Sequence, residues 1–212
     1  LHPRVRRQRQ MCIRDSCYAC RNKEAKMQML KQDKWKTLSS EYLFNRPWLT
    51  VRRDSYELPD GRIVPEYYIL EYPDWVNTLA ITKDRKFVFV SQYRPGLKRN
   101  DYELCAGVSE KSDKNMEAAA RRELLEETGF GGGRWREYMV ISANPSTTDN
   151  LTHCFLAEDV EPIGKVHQDA TEDVRIHLLT LEEVRELLVS GAVKQATHLA
   201  PLWKYFAENK IL

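Results

Sequence analysis

The chain has 212 residues, of which 42% are hydrophobic and 30% charged. That is enough for one domain or two small ones, and it excludes wholesale disorder and collagen-like character. No stretch approaches the roughly 18 apolar residues of a membrane span, and no apolar segment follows the basic N-terminus as in a secretory signal. The net charge of +2 divides unevenly, with eight basic and two acidic residues in 1–26 against 25 basic and 29 acidic thereafter. The mildly acidic body argues against a nucleic-acid partner, and a cytoplasmic protein without membrane contacts is expected.

Residues 1–16, LHPRVRRQRQMCIRDS, lack helical or strand periodicity and look like translated linker or adapter sequence. Residues 1–26 are therefore set apart as a leader, non-native or disordered, and Met27 or Met29 offers a natural start. Two alternatives stand beside that reading. Cys12, Cys17 and Cys20 have a C-x4-C-x2-C cluster spacing, which would need a distant fourth ligand. The basic residues could form an arm for RNA or anionic lipid, but aromatic interleaving is missing. The body cysteines, Cys105 and Cys154, make no disulfide framework and fit a reducing compartment.

From about Trp35 the pattern is strand-rich. Asp60-Gly61 is a hairpin turn signal between predicted strands at Ser55–Leu58 and Ile63–Glu71. Trp75–Ile81 and Phe87–Val90 read as strands around a turn at Thr82–Arg85, and Glu103-Leu104 as a short strand entering a loop. Asn115–Thr128 is rich in helix formers, with Gly129 placed as its C-terminal cap. Gly131-Gly132-Gly133 breaks the chain before predicted strands at Trp135–Ile141, Leu151–Ala157 and Val174–Leu178. Thr180-Leu181-Glu182-Glu183 is a capping box opening a helix that Gly191 ends. A last amphipathic helix covers roughly Gln195–Glu208. Without a regular βαβ alternation, an α+β or sandwich arrangement is expected.

The most informative stretch is Arg122-Glu123-Leu124-Leu125-Glu126-Glu127-Thr128-Gly129-Phe130. At about 100° per residue, Glu123, Glu126 and Glu127 share roughly one third of the helix circumference. Three carboxylates on one face repel one another unless a cation sits between them, and hard oxygen ligands suit Mg²⁺ or Mn²⁺. Arg122 is placed to orient one of them through an ion pair. A solvated acidic face is the plain alternative for Glu-Glu alone.

The full string matches the Arg-Glu, apolar, any, Glu-Glu, any, Gly, apolar half of the Nudix box, and the chain resembles the Nudix hydrolases. The upstream half departs from the family pattern. Counting back from Arg122 puts Val108 at the family's Gly position and Lys114 at its Glu position. Gly107 comes one residue early, so the loop Val108–Asp113 is expected to hold the extra residue. Asp113, the nearest acid, could cap the helix. Ser91-Gln92-Tyr93-Arg94-Pro95-Gly96 and Glu103-Leu104-Cys105-Ala106-Gly107 are similar to the Q-Y-R-P and E-L-P-A-G stretches of ADP-ribose and ADP-sugar diphosphatases, with Cys105 replacing Pro.

The resemblance implies a Nudix α/β/α sandwich over 73–212 behind a small β-rich N-terminal domain at 27–72. It implies Mg²⁺-dependent hydrolysis of ADP-ribose or a related ADP-sugar to AMP and a sugar phosphate. The metal ligands would be the Ala106 carbonyl, Glu123, Glu126 and Glu127, with Arg122 and Glu126 counted in the catalytic machinery. Arg94 would bind a phosphate, the alternative being a surface ion pair, and Glu103 would join it in the substrate site. Trp35 and Trp48 would clamp the adenine in a homodimer, or else be core residues. Glu172, in the acidic run Asp169–Asp173, would be the late catalytic carboxylate, with Asp169 and Asp173 as neighbouring candidates. Rival expectations are a GDP-mannose or other nucleoside diphosphate sugar hydrolase and a non-catalytic ADP-ribose-binding sensor. Intact Glu123, Glu126 and Glu127 argue against the sensor.

Overall fold

A computed structural model describes residues 34–167 and 173–211. The expectations for the leader and for Asp169 and Glu172 lie outside the described residues. The chain falls into two compact units. Among the described residues, one takes in 34–46 together with Val51–Ile69, and the other takes in Pro47–Thr50 together with 70–167 and 173–211.

In the first, β1 (Lys36–Arg46), β2 (Leu49–Glu57) and β3 (Ile63–Glu71) form a three-stranded sheet in that order. The Asp60-Gly61 turn is present: Gly61 has φ +84, and its N–H donates to the Leu58 carbonyl at 2.9 Å. β1 is exposed along its whole length, so no burial alternation marks it in the sequence. Trp35 packs edge-on against Tyr56 and Tyr67, with centroids 5.7 and 6.0 Å away.

The second unit is built on an eight-stranded sheet. Its main path includes β4 (Trp75–Thr82), β5 (Phe87–Arg94), β10 (Thr152–Pro162) and β11 (Arg175–Leu179) in the order β11-β5-β4-β10, ending on β8 (Phe130–Gly131). The short strands β6 (Arg99–Glu103) and β7 (Cys105–Val108) pair with β5 and β4, and β9 (Arg134–Ile141) pairs with β10. β4 and β10 run parallel, while the other pairings are antiparallel.

Alternation along these strands feeds two cores. Leu79, Ile81, Phe87, Phe89 and Leu156 cluster with α2 (Leu181–Val189) and α3 (Ala196–Glu208) through Val184, Leu188, Leu202 and Phe206. Ala80, Val88, Val90 and Ala157 cluster instead with Leu124 of α1 (Met116–Thr128), and Val76 and Phe155 with its Ala119 and Ala120. Helices on both faces of a mixed sheet make the expected α/β/α sandwich. Among the described residues no helix is long and apolar enough to cross a membrane.

The caps follow the local chemistry. Asn115, not Asp113, caps α1: its Oδ1 accepts the Ala118 N–H at 2.8 Å. Gly129 ends the helix with φ +73, donating to the Leu125 carbonyl at 2.8 Å. The Thr180–Glu183 capping box opens α2. In α3, Pro201 has no N–H to offer the Thr197 carbonyl one turn earlier. The buried Asn77 of β4 fills that gap, its amide donating to Thr197 O at 2.8 Å.

Candidate active site

A cavity of about 860 Å³ opens beside Ala106, Gly107 and Val108 of β7 and the carboxylate face of α1. Glu123, Glu126 and Glu127 all line it. Their exposure is graded by the helix packing. Leu124 is fully buried in the core beneath α1, so Glu127, three residues on, sits at the core edge and is only 7% exposed. Its Oε2 accepts the Ala106 N–H at 3.3 Å. Glu126 is more exposed, with 44% of its side chain accessible.

Gly107 allows a close approach between β7 and the Glu123 carboxylate. A Cβ at that position would lie 2.1 Å from Glu123 Cδ and 2.2 and 2.4 Å from its carboxylate oxygens. Only a residue without a side chain lets this carboxylate lie against β7.

Arg122 ties the parts together. Its guanidinium donates to both oxygens of Asp113 at 3.2 and 3.1 Å, to Val108 O at 3.0 Å and to Glu126 Oε2 at 2.9 Å. It also reaches Glu123 Oε1 at 3.0 Å. The bidentate pairing thus falls on Asp113, not on a helix carboxylate. Hydrogen bonding to Arg122 holds the Asp113 carboxyl below its ordinary range, against the opposing effect of burial.

This settles the upstream half of the box. Five residues separate Gly107 from Asp113, as in the family spacing of Gly and acid, and the extra residue falls between Asp113 and Arg122. The expectation that it lies in Val108–Asp113 is therefore corrected. A carboxylate one methylene shorter, on a chain one residue longer, still meets the arginine.

The metal-binding chemistry is consistent with a hard divalent cation. Among the described residues, no three His, Cys, Asp or Glu side chains close into a ready-made ligand cage. Mg²⁺ usually binds through one or two carboxylates plus substrate phosphates, and an open carboxylate face with a glycine cradle suits that mode.

Arg94, at the end of β5, reaches the same cavity. Its Nε and Nη2 donate to Glu103 Oε1 and Oε2 at 2.6 and 2.5 Å. Glu103 is 1% exposed and Arg94 is half-buried. The pair is therefore a part-buried clamp, a half-exposed guanidinium on a buried carboxylate, and Glu103 acts on the guanidinium. Trp48 lies between β1 and β2 and is 85% exposed, which excludes a core role for it. Trp35, in its aromatic trio, is 44% exposed.

The chain around the late acidic segment is anchored at both ends. His167 donates its N–H to the Glu126 carbonyl at 2.8 Å and lines the cavity, and Val174 is buried in the core of α1. Two buried polar residues lining the cavity, Asn77 and His198, carried no motif signal in the sequence.

Residues 72–200 match the NUDIX domain model, and residues 35–70 match the nucleoside diphosphate sugar hydrolase N-terminal domain. The chain belongs to the Nudix family. It is 32% identical over 162 residues to an ADP-ribose pyrophosphatase of Bacillus subtilis, covering 76% of this chain and 86% of that protein. A methanol dehydrogenase activator of Bacillus methanolicus is 30% identical over 154 residues, covering 72% and 82%. The crystal structure of an ADP compounds hydrolase superposes with a TM-score of 0.71 at 20% identity, over 84% of this chain and 97% of that one. This last likeness bears on the fold. As a Nudix enzyme the chain is a hydrolase of a family that works with a divalent cation.

Proposed function

We propose that this Nudix enzyme hydrolyses the diphosphate of ADP-ribose or a related ADP-sugar to AMP and a sugar phosphate. The observation that carries the reading is the carboxylate face of α1 against the Gly107 cradle, in one cavity with Arg94, whose guanidinium is held from behind by Glu103. Glu123, Glu126, Glu127 and the Ala106 carbonyl would hold Mg²⁺, or Mn²⁺ in its place. When bound, the cation neutralises diphosphate charge and lowers the pKa of a coordinated water.

The chain's own residues do the rest. Arg122 holds Glu123 and Glu126 in place through its anchor on Asp113. Arg94, aimed by Glu103, binds a phosphate oxygen, for which a planar guanidinium is suited. Glu172 takes the proton from the attacking water, in a segment that follows the cavity-lining His167. Trp48, with Trp35, stacks on the base of the substrate, and the active species is a homodimer. The exposure of Trp48 supports this assignment. The protein acts in the cytoplasm.

A second reading keeps the chemistry and changes the nucleotide to GDP-mannose or another nucleoside diphosphate sugar. The N-terminal match, to a nucleoside diphosphate sugar hydrolase domain, leaves the base open. A panel of nucleoside diphosphate sugars assayed with Mg²⁺ for AMP and GMP release tests both. Preferential AMP release from ADP-ribose is expected. Turnover of GDP-mannose alone would replace the first reading with the second.

A further inference from the structure

His198 sits in the first turn of α3 and is 1% exposed. Its Nδ1 accepts the Leu104 N–H at 3.2 Å. A neutral imidazole that accepts at Nδ1 carries its proton on Nε2. Burial and the nearby Arg94 charge keep the ring neutral, lowering its pKa to about 3. The Nε2 atom is itself buried and has no hydrogen-bond partner among the described residues. Its charged neighbour is Glu103 Oε2, 4.0 Å away.

Glu103 makes this donor meaningful. Its Oε2 accepts from Arg94 Nη2 at 2.5 Å and from Gln92 Nε2 at 3.3 Å. A buried carboxylate needs its oxygens satisfied. If Arg94 directs N–H groups to a phosphate, Glu103 Oε2 gives up part of its bonding, and the His198 N–H stands ready to supply it. Leu104, the other partner, immediately precedes β7, which carries Ala106 and Gly107. One imidazole thus links the strand that forms the metal cradle to the carboxylate that aims the phosphate-binding arginine.

We infer that His198 is a positioning residue for the diphosphate: held as its Nε2–H tautomer by the Leu104 amide, it braces Glu103 and so fixes Arg94. The inference rests on the proposed diphosphate chemistry of the site. The inferred role of His198 is exercised through Glu103.

The test compares His198→Gln with His198→Leu. Glutamine can accept from Leu104 through its carbonyl and donate through its amide, whereas leucine can do neither. Two probes are used with Mg²⁺: inorganic pyrophosphate, followed by calorimetry, and ADP-ribose, followed by turnover. The Leu variant should bind pyrophosphate about tenfold more weakly and raise KM for ADP-ribose by a similar factor, with kcat within threefold of the parent. The Gln variant should stay within threefold on both. Nitrogen-15 NMR of the parent should show the Nε2–H tautomer throughout pH 5–8.

Equal pyrophosphate binding by the Leu and Gln variants would overturn the inference, as would an Nδ1–H tautomer or a parent that binds no pyrophosphate. A parent that binds pyrophosphate but leaves ADP-ribose intact would sink the substrate reading and leave this one standing. Should the Leu variant not fold, the tautomer and the pyrophosphate affinity of the Gln variant decide.

Discussion

Gly107→Ala isolates the contact between the metal strand and Glu123. The added Cβ would lie 2.1 Å from Glu123 Cδ, while ordinary contacts begin near 3.4 Å, so the carboxylate must retreat by about 1.3 Å. The group that moves is the end of a flexible side chain, so folding should be little affected. Gly107 is not a positive-φ glycine, so alanine meets no left-handed strain there. Displacing a positioned group by about 1 Å can cost on the order of 10²-fold in rate, or about 2.7 kcal/mol. The expected result is a kcat/KM for ADP-ribose reduced roughly 100-fold at fixed Mg²⁺, partly recovered as Mg²⁺ is raised. Thermal unfolding should shift by no more than a few degrees. A folded variant within threefold of the parent at all Mg²⁺ concentrations would refute the role given to Glu123 and its cradle.

Further outcomes test the remaining assignments. Glu127→Gln preserves shape and still offers an oxygen to the Ala106 N–H, but removes one negative charge; a loss of about 10³-fold or more in kcat is expected, and a folded variant within tenfold of the parent would exclude metal binding there. Glu172→Gln should lower kcat strongly at nearly constant KM if Glu172 activates water, whereas rescue by Mg²⁺ would mark it as a ligand; a parent-like Glu172 variant beside an inactive Asp169 or Asp173 variant would transfer the role. Stability should also fall with acid between pH 6.5 and about 3. In that window the unfolded chain protonates His198 while the native state keeps it neutral, so stability is greatest above pH 6.5. His198→Gln should flatten that portion of a melting-temperature profile, and an unchanged slope would count against the burial argument.

Local patterning was enough for the elements whose signal is written in consecutive residues. The apolar strands at Trp75–Ile81 and Phe87–Val90, the Gly129 cap and the Thr180–Glu183 capping box all correspond to features of the structure. The spacing of Glu123, Glu126 and Glu127 placed them on one helical face because the α-helical period is a property of the backbone alone. β1 has no boundaries legible in the sequence, since an exposed strand carries no alternation between core and solvent.

Tertiary structure decided the relations between elements distant in sequence. Asp113 looked like a helix cap, but Arg122 draws it into an ion pair while Asn115 takes the cap. Arg94 read as either a phosphate ligand or a surface pair, and burial of Glu103 makes it a clamp whose partner is nine residues away. His198 and Asn77 gave no signal at all. Each matters through a partner about a hundred residues away, Leu104 for the histidine and the Thr197 carbonyl left by Pro201 for the asparagine. The one-dimensional pattern records how a residue partitions between water and core. It does not record which buried hydrogen-bonding group must be met by which side chain, because that follows only once the sheet has brought the helices to its two faces.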